Sequence, residues 1–472
     1  MVPLPAAEQF VPISGRPFFL LPLWGDSAGE LEQRTAEATA WGGDTDLGVA
    51  ATRLWDQVPA DAPHRRVVLA SSVRHAQESL ATMDTRWVRT MDPDRVSPQV
   101  AFCFSGLGES PVVLGDSLYR TNAEFRQTLD RLDRLSVAHH GRSLVLGPLR
   151  SSAPAGRADD RSVGLTASRA LLGAARRTGP PVVEPPTPAL PTEEDQPMRW
   201  AVGYALARTW LAAGVAPDLL VGHSLGEYVA ACVAGVFTEE DALRLVIRRA
   251  ELLGGLPAGG MLAVGLPARE VSLRLPDGAV VSAMNAPSVT AVSGSHASLR
   301  TLAEDLARDG VSHRFLPVDR PFHSPLLDPV SAPLAAEVAR VQRKRPQLRW
   351  ISTVTGRLMR PQDAVDPQYW ARHTTAPVNY LAALRLALRG RPPAFLEVGL
   401  GEALTTFAAH TQLESAATRT PVLASVQRSP YWQNDTTSWL HTLGWLWTSG
   451  LQVNWRALSP MTTSPHPVES DG

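Results

Sequence analysis

The sequence predicts an α/β protein with a large unit, a smaller unit inserted into it, and another small unit in front. Two observations predict this class. Short apolar runs at residues 18–23, 99–104 and 394–400 have the length of buried strands. Stretches with helical spacing, such as residues 198–213 and 238–254, alternate with them along the chain. Strand-like and helix-like stretches that alternate in this way are typical of α/β domains.

The first part of the chain contains two predicted strands and two predicted helices. Apolar runs lie at 18–23 and 65–71, and helical patterns follow at 27–42 and 73–83. No residues in this part have the spacing of a catalytic group. We therefore expect a small α/β domain over residues 1–97 that carries no catalytic residues.

A second region begins with the strand at 99–104, which runs into the Gly-containing turn 105–110. A helical pattern follows at 117–134. Residues 140–195 are rich in Pro, Ser, Gly and Arg, and we interpret them as a long irregular excursion with one helix near 164–176. Regular periodicity returns after the excursion.

Residues 261–318 have an element order of their own. A strand and a helix are followed by two strands joined by the turn NAPS, and then by a second helix and a last strand. This βαββαβ order is the ferredoxin-like arrangement. The predicted domain bounds are therefore 1–97 for the first unit, 98–257 and 319–428 for the large unit, 258–318 for the inserted unit, and 429–472 for an apolar helix with a Pro/Ser tail.

The composition is that of a globular protein and argues against several function classes. A formal net charge of -1 gives no broad basic surface for nucleic acid or an acidic membrane. No apolar run approaches the roughly 20 residues that a membrane-spanning helix needs, and the first residues lack a signal-peptide pattern. Cys103 and Cys232 have no CxxC neighbour, which argues against zinc ligation and disulfides. We expect a cytoplasmic protein with no bound metal or cofactor.

The strongest local signal is the motif GHSLG at residues 222–226, a GxSxG between a predicted strand and a helical stretch. Small residues around Ser224 allow a sharp strand-to-helix turn that exposes the hydroxyl at the end of the strand. The N-terminus of the following helix can support a developing oxyanion with its dipole and free N–H groups. Ser224 is therefore the candidate nucleophile; without that context it would be an ordinary turn serine.

A nucleophilic serine needs a base, and two histidines are candidates. His323 lies in RPFHSPLLDP, just after the last strand of the inserted unit, where the chain can return to the cleft. His223 is adjacent to Ser224, but we expect its ring to point away from the serine hydroxyl. On its own, His323 could equally be a structural histidine.

These residues lie in longer blocks that resemble a known family. The segment GHSLGEYVAACVAGVFTEEDALRLVIRRAELL (222–253) resembles the nucleophile block of acyltransferase domains of modular type I polyketide synthases, which are similar to malonyl-CoA:acyl-carrier-protein transacylases. Residues 18–95 resemble the linker between ketosynthase and acyltransferase, and residues 443–455 resemble the linker after the acyltransferase. The resemblance implies an α/β-hydrolase-like large subdomain with a ferredoxin-like small subdomain inserted in it.

The resemblance implies a Ser–His dyad in which Ser224 is the nucleophile and His323 is the general base and then the general acid. It also implies that a backbone carbonyl, here that of His373, orients the base in place of an aspartate. The oxyanion hole would consist of the backbone amides of Leu107 and Leu225.

Three more positions match residues that line the family's site. Arg249 lies where the family has the arginine that holds the free carboxylate of a malonyl-type group. A planar guanidinium can bind a carboxylate through two parallel hydrogen bonds. Beside Arg248, this residue could otherwise be a solvated helix arginine. Asn285 and Gln196 match polar positions of the family's substrate site.

The chain departs from the family at two motifs. The first turn reads GLG at 106–108 where GQG is usual, so a backbone amide remains but a side-chain amide is lost. The motif that ends at the base reads RPFH at 320–323, where HAFH is common for malonyl and YASH for methylmalonyl. Phe322 and Leu225 favour a malonyl-like pocket, and Arg320 is a further candidate for the substrate site.

The expected reaction has two steps and uses acyl-CoA as co-substrate. Ser224 takes the acyl group from the thioester and then passes it to an acceptor. The family's acceptor is the phosphopantetheine thiol of an acyl carrier protein. Because the chain starts with Met and shows no ketosynthase or carrier domain, we expect it to act in trans. The alternative acceptor is a hydroxyl of a finished polyketide or depsipeptide, as in tailoring steps of antibiotic biosynthesis.

Two further functions remain open at this point. A serine hydrolase or thioesterase shares GxSxG, although the inserted βαββαβ unit and Arg249 argue against it. A docking protein that has lost activity would not need both Ser224 and His323. Nucleotide binding has no support beyond GLGEAL at 399–404, a lone Gly-rich turn.

Overall fold

The computed structural model describes residues 18–91, 99–107, 115–144, 190–389, 394–414, 419–427 and 434–458. They form two compact units. The first unit holds the described residues up to 91 and those from 434 onward, and the second unit holds the residues between them.

The first unit is a three-stranded antiparallel sheet with helices. Its strands follow the order β1-β2-β3. Their bounds are β1 Phe19–Gly25, β2 His64–Ala70 and β3 Val88–Thr90; the helices are α1 Ala28–Thr39, α2 Leu47–Gln57, α3 Val73–Thr82, a Trp-rich helix Asp435–Thr448 and a short 3-10 helix Trp455–Leu458. The two predicted strands and two predicted helices of this part are present, whereas α2 and β3 were not predicted.

The Trp-rich helix belongs to the first unit and packs on its sheet, although the sequence predicted it as a separate segment. Hydrogen bonds as well as packing contacts join this helix to the sheet. The buried Arg65 side chain on β2 donates hydrogen bonds to the carbonyl oxygens of Trp447 at 3.0 Å and Leu451 at 2.8 Å. Carbonyls at a helix end lack partners within the helix, so this arginine satisfies them.

The second unit contains the remaining elements. Its strands are β4 Val100–Phe104, β5 Leu219–Gly222, β6 Gly260–Val264, β7 Ala279–Ala286, β8 Val289–Gly294, β9 His313–Phe315, β10 Trp350–Ser352, β11 Arg357–Leu358, β12 Ala394–Val398 and β13 Val422–Ala424. Its helices are α4 Asp116–Thr121, α5 Ala123–His140, α6 Thr192–Ala212, α7 Gly226–Val233, α8 Glu239–Gly254, α9 Ala268–Ser272, α10 His296–Arg308, a 3-10 helix Pro325–Val330, α11 Ser331–Arg340, α12 Pro361–Ala364, α13 Pro367–Thr375, α14 Tyr380–Ala387 and α15 Ala403–Gln412.

The larger sheet of this unit has six strands in the order β11-β10-β5-β4-β12-β13. All neighbours are parallel except the edge pair of β10 and β11. Phe104 at the end of β4 is paired with Gly222 at the end of β5. The turns that follow these two strands therefore begin side by side at the carboxyl edge of the sheet, where ligands of open α/β sheets usually bind.

The smaller sheet is antiparallel, with the order β7-β8-β6-β9. It is formed by the predicted βαββαβ run, with α9 and α10 as the two helices. Leu262, Val292, Leu299 and Phe315 form part of its buried core. The α/β class and the ferredoxin-like insert are thus confirmed.

Two predicted helices differ in their bounds. The helix predicted at 117–134 is broken at Asn122, whose side chain accepts a hydrogen bond from the Phe125 amide at 3.0 Å and starts α5 as an N-cap. The helix predicted at 198–213 begins earlier, at Thr192, with Pro197 inside it. Most of the predicted excursion, including its helix near 164–176, lies outside the described residues.

Within the described residues, no helix combines the length and the apolarity needed to cross a membrane. Nor do the described His, Cys, Asp and Glu side chains form a group of three or more that could hold a metal ion.

Candidate active site

Ser224 lies in a sharp turn between β5 and α7. Its φ angle is 52°, in the left-handed region that non-glycine residues rarely adopt. The glycines on each side allow the turn, because a Cβ on Gly222 would lie 2.4 Å from the Glu227 amide nitrogen and one on Gly226 would lie 2.2 Å from the Phe104 carbonyl oxygen. The GxSxG motif therefore forms the strand-to-helix elbow that the sequence predicted.

His323 reaches this elbow from almost a hundred residues further along the chain. Its Nε2 atom lies 2.6 Å from the Ser224 hydroxyl oxygen, and both residues are buried. His323 also has a positive φ angle, 58°. The two side chains thus meet with the geometry expected of a nucleophile and its base.

The other ring nitrogen of His323 is held by a backbone carbonyl, but not by the expected one. Nδ1 lies 2.9 Å from the carbonyl oxygen of Ala376, three residues after His373. The His373 carbonyl has only a smaller influence on the pKa of His323, in the raising direction. The helix α13 ends at Thr375, and the extended backbone of Ala376 brings its carbonyl to the ring. The resemblance implied the His373 carbonyl in this place, and the hydrogen bond of Nδ1 goes to the Ala376 carbonyl instead.

The environment of His323 keeps its ring neutral. Burial is the main cause that lowers the pKa of His323 to about 3, and the nearby Arg249 and His223 contribute in the same direction. Because Nδ1 needs its proton to donate to the Ala376 carbonyl, Nε2 carries the lone pair that faces Ser224. This is the tautomer that a general base requires.

The side chain of His373 forms a hydrogen bond with the backbone of the elbow. Its Nε2 atom lies 3.1 Å from the Ser224 carbonyl oxygen, which also accepts a hydrogen bond from the Glu227 amide at 2.9 Å. A carbonyl oxygen only accepts, so His373 carries its proton on Nε2. His373 therefore contributes a side-chain donor where the sequence led us to expect a backbone acceptor.

The two amides expected to form the oxyanion hole lie at neighbouring turns. Leu225 is the N-cap of α7, and Leu107 follows β4. Among the described residues, neither amide donates to a backbone acceptor, whereas the Gly226 amide donates to the His223 carbonyl. Free amides at a helix N-terminus are suited to an oxyanion.

Arg249 is buried in α8, and only 1% of it is exposed. One Nη1 hydrogen bond goes to the Gln196 side-chain oxygen, while Nε and Nη2 have no partner among the described residues. The guanidinium carbon lies 5.9 Å from the Tyr228 ring centre, and burial lowers the pKa of Arg249. A buried cation without a carboxylate partner is costly unless an anion joins it. The alternative of a solvated helix arginine is therefore wrong.

Other predicted site residues turn out to support the site. Asn285 is bonded through Oδ1 to His223 Nε2 at 2.8 Å, so it fixes the residue before the nucleophile. Gln196 joins Arg249 to the start of α6 through a 2.9 Å hydrogen bond to the Thr192 hydroxyl. Phe322 is buried, next to the base.

Arg320 is not placed to bind substrate. Its Nε donates to the Leu253 carbonyl at 3.0 Å and its Nη2 to the Gly254 carbonyl at 2.6 Å, while Nη1 donates to the Asp319 carbonyl at 2.9 Å. Each of the three guanidinium nitrogens therefore already donates to a backbone carbonyl, two of them at the end of α8. The expectation that Arg320 belongs to the substrate site is corrected on this ground.

Sequence reasoning missed a buried carboxyl group behind the elbow. Glu227 accepts hydrogen bonds from the Tyr369 hydroxyl at 2.6 Å and from the Thr353 hydroxyl at 2.7 Å, and also from the Thr353 amide. Burial raises the pKa of Glu227 to about 7. A lone glutamate inside the apolar run LGEYVAACV was the available signal, because a charged residue is rarely fully buried without partners.

Comparison with known proteins gives sequence relatives of the chain. The profile of the acyl transferase domain matches residues 101–444. Orsellinic acid synthase of Emericella nidulans is 36% identical over 338 residues, which are 68% of this chain and 14% of that protein. A phenolphthiocerol/phthiocerol polyketide synthase polypeptide of Mycobacterium tuberculosis is 30% identical over 382 residues, 81% of this chain and 23% of that protein. The chain spans less than a quarter of either relative.

Solved structures show the same likeness. The acyltransferase domain from module 8 of the salinomycin polyketide synthase has a TM-score of 0.74 at 25% identity, with 93% of this chain and 98% of that chain covered. The acyltransferase domain of SpnD, in complex with 2-(pent-4-yn-1-yl)malonyl, has a TM-score of 0.73 at 28% identity, with 94% and 98% covered. Since the profile match extends over most of the sequence, the chain belongs to the acyl transferase domain family found in polyketide synthases.

Proposed function

We propose that this protein moves an acyl group from a CoA thioester through an ester on Ser224 to a second molecule in polyketide biosynthesis. The observation that carries the proposal is the 2.6 Å distance from the Ser224 hydroxyl to His323 Nε2 at a strained strand-to-helix elbow. Strain at one backbone position persists where the surroundings hold it, and such positions are concentrated at active sites.

In the first half of the reaction, the Ser224 hydroxyl attacks the thioester carbonyl while His323 Nε2 takes its proton. A tetrahedral oxyanion forms, and the amides of Leu107 and Leu225 stabilise it. The C–S bond then breaks, and His323 returns the proton to the CoA thiolate. The acyl group remains as an ester on Ser224.

In the second half, the acceptor enters and His323 takes its proton. The acceptor atom attacks the ester carbonyl, and the same amides stabilise the second oxyanion. Breaking the bond to Ser224 returns the proton to the serine oxygen and releases the acylated acceptor. Donor and acceptor use the site in turn, which is ping-pong kinetics.

For the donor, we infer a carboxylated acyl group of the malonyl type. Support comes from Nε and Nη2 of Arg249, which have no partner in the part of the chain that the structure describes and can bind a carboxylate through a pair of parallel hydrogen bonds. Phe322 also precedes His323 as the phenylalanine does in HAFH, the motif that is common for malonyl donors in the family. The SpnD domain, 28% identical, has a malonyl-type group in its complex.

For the acceptor, we propose the phosphopantetheine thiol of an acyl carrier protein. The sequence relatives are polyketide synthases, in which acyl groups are passed between domains. A hydroxyl of a finished polyketide or depsipeptide is the competing acceptor. Water is the acceptor if the protein is a hydrolase, since hydrolases share the same elbow.

Intact-protein mass spectrometry tests the donor. The protein is mixed with malonyl-CoA, methylmalonyl-CoA, acetyl-CoA and hexanoyl-CoA in separate reactions, with Ser224→Ala as the control. We expect the malonyl adduct to form fastest and the control to gain no mass. Faster adduct formation with the monocarboxylic donors would contradict the malonyl proposal.

A second stage tests the acceptor. The isolated acyl-enzyme is offered a phosphopantetheinylated carrier protein, a polyketide alcohol, or buffer alone. We expect the acyl group to move to the carrier protein faster than to the alcohol or to water. Loss of the adduct at the same rate in buffer alone would support the hydrolase.

A further inference from the structure

Hydrogen bonds to other parts of the chain hold the segment that leads to His323. We call residues 319–323 the base-bearing segment. The Asp319 carbonyl accepts a hydrogen bond from the Gly259 amide at 3.1 Å, and the Phe322 carbonyl accepts one from the Ser293 hydroxyl at 2.5 Å. The side chain of Arg320 extends from this segment to the end of α8.

Arg320 joins the base-bearing segment to the helix that carries Arg249. Its guanidinium donates to the carbonyls of Leu253 and Gly254, the last two residues of α8. Arg249 lies one turn before Leu253 on the same helix. The last carbonyls of a helix have no partner within it, and the negative end of its dipole favours a cation there.

Asp319 joins the same segment to the helix that carries Gln196. Its Oδ2 lies 3.4 Å from the Thr192 amide at the start of α6 and 3.2 Å from Arg320 Nη1. The start of α6 also lies close against the end of α8, because a Cβ on Gly254 would lie 1.7 Å from a Glu193 side-chain oxygen. Gln196 lies one turn after Thr192 and accepts a hydrogen bond from Arg249.

The two residues before Pro321 are therefore tied to both helices of the Arg249–Gln196 pair. We infer that Arg320 is a positioning residue that sets the distance between the His323 base and the Arg249 guanidinium, and that it thereby favours carboxylated donors. This inference rests on the proposed function. A malonyl-type donor is held at its carboxylate and attacked at its thioester carbonyl, so its rate depends on that distance. An acetyl donor has no carboxylate and does not depend on it.

A lysine at this position cannot replace the arginine fully. The planar guanidinium presents several donors in a fixed fork and reaches both helix carbonyls at once, whereas an ammonium group is a compact charge on a flexible stem. A glutamine retains one donor group and loses the charge. We therefore expect a graded series from Arg through Lys to Gln.

The test compares malonyl-CoA with acetyl-CoA in single-turnover acylation of Ser224. The variants are Arg320→Lys and Arg320→Gln, and Arg314→Gln is the matched control, since Arg314 is an exposed arginine on β9. We expect Arg320→Gln to lower the malonyl-to-acetyl ratio of kcat/KM roughly tenfold, with Arg320→Lys in between. The loss should appear in the maximal acylation rate constant with malonyl-CoA, because the carboxylate is still bound but the thioester is misplaced.

A double variant separates positioning from general damage. With Arg249→Gln the carboxylate is no longer held, so adding Arg320→Gln should leave the donor ratio unchanged. An equal fall of both donors with Arg320→Gln would show a merely structural role and overturn the inference. If Arg320→Gln fails to fold, Asp319→Asn and Arg320→Lys provide the same comparison.

The outcomes also separate the two proposals. Wild-type protein that no acyl-CoA acylates would overturn the proposed function, and the inference with it. Wild-type protein that malonyl-CoA acylates, with a donor ratio that neither Arg320 variant changes, would overturn the inference alone.

Discussion

The proposed nucleophile and the proposed base lie in two segments that are held in different ways. Ser224 and His323 both have positive φ angles, 52° and 58°. The sharp turn at Ser224 is allowed by the flanking glycines Gly222 and Gly226, and His373 donates a hydrogen bond to its backbone. The base-bearing segment is held by residues from distant parts of the chain, such as the end of α8. The sequence next to the strained serine thus supplies the glycines that its turn needs, whereas no glycine lies next to the strained histidine, whose position depends on the assembled fold.

The largest expected effect comes from removing either reacting side chain. Ser224→Ala and His323→Ala should each lower the acyl-transfer rate by about 10³-fold or more, and the double variant should be no slower than the worse single variant. Transfer from malonyl-CoA measured by mass spectrometry checks this. His410→Ala, a histidine on α15 outside the site, serves as the control. Independent, multiplying losses would mean that the two side chains do not act as one unit.

The buried carboxyl behind the elbow should make stability depend on pH. The pKa of Glu227 is raised from 4.5 to about 7, so the folded state keeps a proton that the unfolded state loses as the pH rises. This group's contribution to stability is full below about pH 4.5 and is lost as the pH rises through about 7. Glu227→Gln cannot lose a proton. Between pH 4.5 and pH 7, the free energy of unfolding of Glu227→Gln should rise relative to that of wild type by about 3 kcal/mol.

Denaturant unfolding at pH 4.5, 6 and 8 measures this gain. Glutamine fits the site because its carbonyl oxygen can accept from Thr353 and its amide can donate to the Tyr369 hydroxyl. Asp241→Asn is a control on the exposed first turn of α8. A difference between Glu227→Gln and wild type that stays constant with pH would contradict the prediction.

The base should also remain active in mildly acidic solution. Because the pKa of His323 is lowered to about 3, its ring stays neutral well below the usual range of histidine. The acylation rate should change less than twofold from pH 8 to pH 5, whereas a base with a pKa of 6.5 would lose about 30-fold at pH 5. Rates in wild type and in Glu227→Gln should agree. A loss with a midpoint near pH 6.5 would show an exposed base.

The smallest expected effect tests the support that His373 gives to the elbow. His373→Leu removes the donor to the Ser224 carbonyl and should lower kcat about tenfold with KM unchanged, close to the value of one hydrogen bond. His373→Gln places an amide donor near the same point and should restore most of the rate. Equal losses in both variants would mean that packing, and not the hydrogen bond, matters.

The same contrast explains what could be predicted from the sequence. GxSxG needs only five neighbouring residues, so Ser224 and its elbow were predicted without knowledge of the rest of the fold. The βαββαβ order was likewise readable, because each strand and helix has its own period. For the base, His323 was one of two candidate histidines until the resemblance was considered.

The residues that were missed or misassigned act over long distances. Arg320 was expected at the substrate, because a sequence does not show that the end of α8 comes within reach of its guanidinium. The carbonyl that holds the base belongs to Ala376, since the end of α13 decides which carbonyl points at the ring. Glu227 gained its role from Thr353 and Tyr369, which lie more than a hundred residues away.

Because the Trp-rich helix packs on the sheet of the first unit, it limits where the chain can be cut for fusion to another protein. Nη1 of Arg65 on β2 donates to the Trp447 and Leu451 carbonyls at the end of the helix, and the helix covers one face of the three-stranded sheet. Ending the chain after residue 427 would expose that face to water and remove both acceptors of Nη1. Exposed apolar sheet faces of this kind invite aggregation. Chimeric synthases should therefore carry both pieces of the first unit or neither.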